Sequence, residues 1–217
     1  MRRAAPLLVS LVLLCAACGG SSDGGSAAAD DVTTTSEAPP TDAEQRAKLL
    51  TAADLADGWA AKPAAVEGIG EGNSANQGPA CLKDDPADPV LVHVATTLTQ
   101  PNGFPTLEEE LDVYAPDVAA SAIGAKSDRV DACPQIAFSE MGIDFTGTIT
   151  PVTSLAKRGD ESRAWLMHFG GQGLAFDFAI VHVRIGSERL TFTYGVMDGS
   201  DPYGPAPALV DLALAKI

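Results

Sequence analysis

Leu174-Ala175-Phe176-Asp177-Phe178-Ala179-Ile180-Val181-His182-Val183-Arg184-Ile185, then Gly186-Ser187, then Glu188-Arg189-Leu190-Thr191-Phe192-Thr193-Tyr194-Gly195-Val196, is the stretch that decides the fold. Leu190, Phe192, Tyr194 and Val196 alternate with Thr191 and Thr193. That is the period of a strand with one buried face. Gly186-Ser187 joins two such runs, and a two-residue glycine turn is the signature of a tight hairpin. Leu174–Ile185 carries apolar residues at both parities, so its sheet has apolar side chains on both faces.

Working backwards, Ser162–Phe169 and Ile143–Val152 read as two further strands. Val90–Leu98 is another, with Val90, Val92, Val94, Thr96 and Leu98 on one face and the turn Pro101-Asn102-Gly103 after it. Leu107–Tyr114 fits two patterns. Leu107, Leu111 and Val113 against Glu108, Glu110 and Asp112 suit a strand. Leu107, Leu111 and Tyr114, with Thr106 and Glu109 as a capping box, suit a helix. The expected structure is the strand, paired with Val90–Leu98.

Helices flank these runs. Leu49–Leu55 is short, with Thr51 as N-cap, Asp54 at its third position and Gly58 beyond its end. Pro116 opens a helix to about Ala132 that places Ala119, Ile123, Val130 and Cys133 close to one face. Pro205 and Pro207 introduce the last. Short turns between strands imply an α+β fold: a mainly antiparallel sheet of about six strands, flanking helices and one disulfide.

The chain begins quite differently. Arg2 and Arg3 precede an apolar run, Ala4 to Ala17, that ends at Cys18. That run is shorter than the ~20 residues a membrane span needs and has the length of a signal sequence. Ala16-Ala17-Cys18 resembles a bacterial lipobox, with Cys15 where that pattern usually has Leu. Residues 1–17 are therefore expected to be a signal peptide, and Cys18 the acylated first residue of the mature chain. Residues 18–44 are then a flexible linker, and 45–217 a sensor-like α+β domain. Two or three acyl chains (palmitate among them), at ~0.8 kcal/mol per buried methylene, hold such a protein stably on a membrane. The expected location is the extracytoplasmic face of the cell membrane.

Losing Arg2 and Arg3 takes the net charge from −15 to −17. Such acidity argues against nucleic acid and against an electrostatic grip on anionic lipid. Four cysteines are present, and the signal and anchor account for Cys15 and Cys18. Cys81 and Cys133 remain. In an exported domain they are expected to pair, closing a loop of about 53 residues; two buried thiols are the alternative.

Chemistry-bearing motifs are scarce. Gly20-Ser21-Ser22-Asp23-Gly24 matches the hydrolase pattern G-x-S-x-G but sits in the linker, without the strand and helix that motif needs. Gly68, Gly70 and Gly72 lack the spacing of a nucleotide fingerprint. His93, His168 and His182 fall on separate strands, and Asp177, Asp198 and Asp201 lack calcium-loop spacing, so no metal site is read. Arg158-Gly159-Asp160 reads as a turn. No cofactor is expected. Aromatic residues concentrate in the last strands, as core or as the lining of an apolar cavity. Trp165, Phe178, Phe192 and Tyr194 are the candidate ligand-binding residues.

Several stretches, weak singly, occur in a telling order. They are Leu50-Thr51-Ala52-Ala53-Asp54-Leu55, Cys81, Leu107–Tyr114, Pro116 before an Ala-rich helix, Cys133-Pro134, Gly159–Trp165 and Val183-Arg184-Ile185-Gly186. In this order the chain resembles the extracellular sensor-type domain of mycobacterial receptor kinases and related actinobacterial lipoproteins, over about residues 45–217. The resemblance implies an antiparallel sheet, flanking helices, disulfide bonding and a cleft for an unknown ligand. Members often carry two disulfides, whereas this chain has cysteines for one. It also lacks a kinase domain, so signalling would need a partner.

The expected function is a non-enzymatic binding or sensor module of the cell envelope. Its partners would be the membrane, through the lipid anchor, an unidentified small-molecule, lipid or glycan ligand, and a signalling or envelope protein. A carrier of apolar envelope lipids is the alternative, and a hydrolase a weaker one. Replacing the anchor residue, Cys18→Ser, is expected to move the protein out of the membrane fraction, read by fractionation and immunoblotting.

Overall fold

The period-two runs become strands of one sheet. The structure, a computed structural model, describes residues 40–62, 79–82, 89–140, 142–197 and 199–217. The expected signal peptide, Cys18, the expected linker up to residue 39, residues 63–78 with their glycines and Asp198 lie outside them. Among the described residues the strands are β1 (Ala60–Ala61), β2 (Val90–Thr99), β3 (Thr106–Tyr114), β4 (Gln135–Glu140), β5 (Ile143–Pro151), β6 (Glu161–Gly171), β7 (Leu174–Ile185) and β8 (Glu188–Met197). The helices are α1 (Asp42–Arg46), α2 (Ala119–Asp131) and α3 (Ala206–Leu214). The sheet is antiparallel throughout, in the order β1-β2-β3-β8-β7-β6-β5-β4.

Eight strands replace the expected six. β1 is two residues long and carries no periodic signal. β4 places Ile136 and Phe138 on one face, a short alternation after Cys133-Pro134 that the preceding helix pattern masked. The ambiguous stretch is strand β3, which pairs with β2 on one side and β8 on the other. The expected helix at 49–55 shrinks to a single 3-10 turn, Ala52–Asp54. There the Asp54 carboxylate accepts the Thr51 N–H at 2.7 Å. Helix α1 was not expected. Its signal is the capping pair Thr41 and Glu44, whose carboxylate accepts the Thr41 N–H at 2.7 Å.

One strand departs from its expected facing. The β2–β3 register shifts between Val90 and Val92. Such a bulge inserts one residue and reverses the facing of everything before it. Val92 and Val94 therefore point to one face, while Val90 packs with Tyr114 and Ile123 on the other.

The two faces carry different cores. On the first, Leu107, Val181, Leu190, Phe192 and Tyr194 pack under α3 residues Ala206, Val210 and Ala213. On the second, Ile149, Trp165, Met167 and Ile180 pack under Val130 of α2. Cys81 and Cys133 form a disulfide with Cα atoms 6.1 Å apart, joining the 3-10 turn Ala80–Leu82 to the residue just beyond α2. No helix among the described residues is long and apolar enough to cross a membrane.

Glu109 is the odd residue of the first face. It is fully buried, and its carboxyl accepts the Leu50 N–H at 2.7 Å. This bond ties the segment after α1 to the sheet. Burial pushes the Glu109 pKa from 4.5 up to about 7, with the Leu50 N–H and the charge of Lys216 pulling back. Between pH 4.5 and 7 the folded chain keeps a proton that the unfolded chain releases, so stability falls as pH rises through that window. At roughly 1.4 kcal/mol per pH unit, the loss is at most about 3.5 kcal/mol. Denaturant unfolding from pH 4.5 to 8 should therefore show less pH-dependent loss in Glu109→Gln than in the wild type.

Candidate functional site

A cleft of about 620 Å³ opens on the second face, at the end of the sheet where the β2–β3, β4–β5 and β6–β7 turns lie. Phe145 of β5, Phe169 of β6, and Phe176 and Phe178 of β7 line it, with Phe104 from the β2–β3 connection. Alternation along three neighbouring strands delivers these rings to one surface. Phe169 lies parallel to Phe178 with centroids 5.6 Å apart, and 5.1 Å from Phe176. Phe104 meets Phe176 at 5.6 Å, and Phe138 closes the group against Phe145 at 5.3 Å. Six of the chain's seven phenylalanines thus belong to one cluster.

A gap in the sheet surface makes room for it. Thr106, Gly195 and Phe178 are neighbours across β3, β8 and β7. A Cβ at Gly195 would overlap the Phe178 ring and come within 2.9 Å of Thr106 Cγ2. The missing side chain lets the Phe178 ring lie across β8 and build one wall.

The polar lining sits at opposite sides of the cleft. Glu108 and Thr106 of β3, Thr99 of β2 and Lys62 stand on one side, and Glu140 at the end of β4 on the other. Glu108 is exposed to solvent, but within a concavity. Those walls push its carboxyl above the ordinary 4.5, while the positive charges of Lys62 and His93 pull it back.

The rest of the second face is covered by α2 and carries buried polar groups beside its apolar core. Under α2, Ser127 Oγ lies 3.1 Å from His182 Nδ1, and both residues are buried. Burial holds the His182 pKa well below 6.5, helped by the charges of Lys126, Arg189 and Arg163. Buried Asp112 sits between Arg189 and His93, whose Nδ1 is 2.6 Å away. Burial alone would raise the Asp112 pKa, but the His93 hydrogen bond and the Arg189 charge outweigh it and hold it low. Trp165 Nε1 donates to Asp131 Oδ1 at 2.6 Å, and Arg163 Nη1 to Asp128 at 2.7 Å. These bonds lock α2 over the sheet and leave the phenylalanines beyond its end.

The four candidate ligand residues do not converge. Phe178 lines the cleft. Trp165 shares its face but is 1% exposed beneath α2. Phe192 and Tyr194 face the opposite way, in the core under α3, with Tyr194 beside Trp59 at 6.4 Å. Strand parity explains the split, since β8 sends Phe192 and Tyr194 to the face opposite the one to which β7 sends Phe178. Phe104, Phe138 and Phe145 went unread. Their signal was the compositional one, phenylalanine at turn-proximal positions of successive hairpins.

Other motifs resolve structurally. Arg158 donates through Nε and Nη2 to Asp211 of α3 at 2.6 and 3.0 Å. Asp160 accepts the Gly186 N–H at 2.7 Å. The Arg-Gly-Asp tripeptide thus ties a loop to α3 and to the β7–β8 turn. His168 Nδ1 lies 2.7 Å from Asp177 on the surface. Among the described residues, no group of three or more His, Cys, Asp or Glu is placed to hold a metal ion. Neither Ser127 nor His182 lines the cleft.

No protein-family model matches the chain. Comparison with curated proteins finds no match. Among solved structures, the fold is similar to the extracellular domain of PknH from Mycobacterium tuberculosis, with a TM-score of 0.47 and 10% identity. That match covers 60% of this chain and 68% of the other. It is a distant resemblance of fold.

Gly195→Val should lose about 1–3 kcal/mol in urea unfolding by driving Phe178 from its seat. Gly124→Ala, on α2 with nothing within 4 Å of an added Cβ, should be neutral or gain up to about 1 kcal/mol.

Proposed function

We propose that this chain is a non-enzymatic, extracytoplasmic binding module whose ligand occupies the phenylalanine cleft. It stands on the outer face of the cell membrane, held by acylated Cys18 and a flexible linker. The observation that carries this reading is the cleft itself. Five phenylalanines line a concave surface of about 620 Å³, with a few polar groups at its sides. Ligand sites share that composition and size. The Cys81–Cys133 disulfide supports an oxidising, exported location. Burial of both Ser127 and His182 speaks against a hydrolase, whose nucleophile must meet substrate.

A carrier of apolar envelope lipids is the second reading, and the apolar floor favours it. The charged groups at the sides favour a ligand that keeps a polar head in solvent. In either case binding rests on the rings. Titration with the neutral fluorophore N-phenyl-1-naphthylamine should give saturable enhancement. Phe104→Ser and Phe176→Ser should each weaken binding roughly tenfold, as loss of one aromatic contact implies. Circular dichroism checks that the variants fold. Enhancement that is absent, or unchanged in both variants, would remove the cleft as the ligand site.

A further inference from the structure

We infer that the ligand of the phenylalanine cleft is a cationic amphiphile: an apolar acyl or aryl body laid over the rings, with a positively charged nitrogen held beside Glu108. The inference rests on the cleft being the binding site, as proposed above, and adds the charge of what binds.

Three observations converge. The first is the lining. Its charged groups are Glu108, Glu140 and Lys62, a carboxylate excess in a site that otherwise offers phenylalanines, Ile143, Leu174 and two threonine hydroxyls. The second is the floor. Aromatic faces carry a negative quadrupole that attracts a cation and repels an anion. Apolar contact and charge thus select the same molecule. The third is the surroundings. The whole chain carries −15, so its field draws cations to any open cleft and disfavours anions.

Glu108 links the three. It sits in the concavity formed by the rings, where ionisation is disfavoured. Lys62, which lines the same side, and His93 on β2 pull its pKa back. A bound cation beside Glu108 restores the solvation that the walls remove. An anionic head at either side would face a carboxylate, Glu108 or Glu140, with Lys62 as the one cationic side chain in the lining. A neutral head would gain a hydrogen bond and leave the charge of Glu108 uncompensated.

The test uses three ligands of matched body and different head: 3-phenylpropylammonium, 3-phenylpropanol and 3-phenylpropionate. None needs a micelle or bilayer to stay dissolved. Each is titrated by calorimetry into the full-length, unacylated Cys18→Ser protein at low salt. The ammonium compound should bind at least tenfold more tightly than the alcohol, and the carboxylate most weakly. Glu108→Gln should bring the ammonium compound to within about twofold of the alcohol while leaving the alcohol unchanged. Lys62→Gln should strengthen ammonium binding. Asp117→Asn removes an exposed carboxylate at the opposite end of β3 and should change nothing, which separates the cleft from the general field of an acidic protein.

The outcomes separate the two levels of the argument. If the alcohol or the carboxylate binds as well as the ammonium compound, the charge inference falls and the cleft stands. If the ammonium preference survives in Glu108→Gln but drops in Asp117→Asn, the inference falls as well, because the selectivity then belongs to the global field. If none of the three binds, the cleft fails as a ligand site and the inference fails with it.

Discussion

A sheet of eight strands, at about 4.8 Å between neighbours, is roughly 34 Å wide. A helix with its side chains is about 10 Å across. That mismatch governs the rest of the structure. Both faces carry apolar side chains, and each must be covered by something. On the first face, α3, the turn at 52–54 and the residues after α1 share the task, and Phe192, Leu190 and Val181 are fully buried there. On the second, α2 covers the part over His182, Asp112 and Trp165. Beyond it the phenylalanines cover one another.

The two halves of the second face hold together by different physics. Under α2, Asp112 ties the strands together through Arg189 and His93, Val130 packs on an apolar core, and the helix is held by charge-assisted hydrogen bonds from Trp165 to Asp131 and from Arg163 to Asp128. Such bonds are directional and set the position of the helix. Beyond α2 the contacts are ring on ring, which tolerate many arrangements and leave a surface able to meet another apolar body. The disulfide stands where the two halves meet. Cys133 follows the last residues of α2 and packs with Phe138 and Phe169 in one cluster. The cleft is therefore the part of the face that a rigid polar seam leaves open.

Much of the architecture was legible because it obeys local rules. The β7–β8 hairpin announces itself by alternation and a glycine turn. The helix after Pro116 shows the 3.6-residue period of Ala119, Ile123 and Val130, and these side chains are buried as that period requires. Cys81 and Cys133 pair as the cysteine arithmetic of an exported domain suggests. Local rules also explain the misses. Ala60–Ala61 is a strand only because β2 lends it partners, and Gln135–Glu140 only because β5 does. Val90 follows its neighbours in sequence but not in space, since the bulge that turns it has no signature in the valine alternation. Lys126 and Ser127 sit on the buried side of α2 because the sheet beneath them is polar, a fact held by strands β3, β7 and β8 rather than by the helix.

The sequence by itself determined the class of fold and the acidity, and it pointed to the pairing of Cys81 with Cys133. Each of these is written in neighbours along the chain, in a period, a spacing or a run. Only the tertiary structure decided which aromatics act together. Phe178 and Phe192 look equivalent as residues of adjoining strands, yet parity sends them to opposite faces. Phe104, Phe145 and Phe169 belong to separate hairpins, yet strand order gathers them with Phe178. Glu108 and Glu140 are remote in the chain and line one cleft. A binding surface built across strands is a property of their order, and no single segment holds that order.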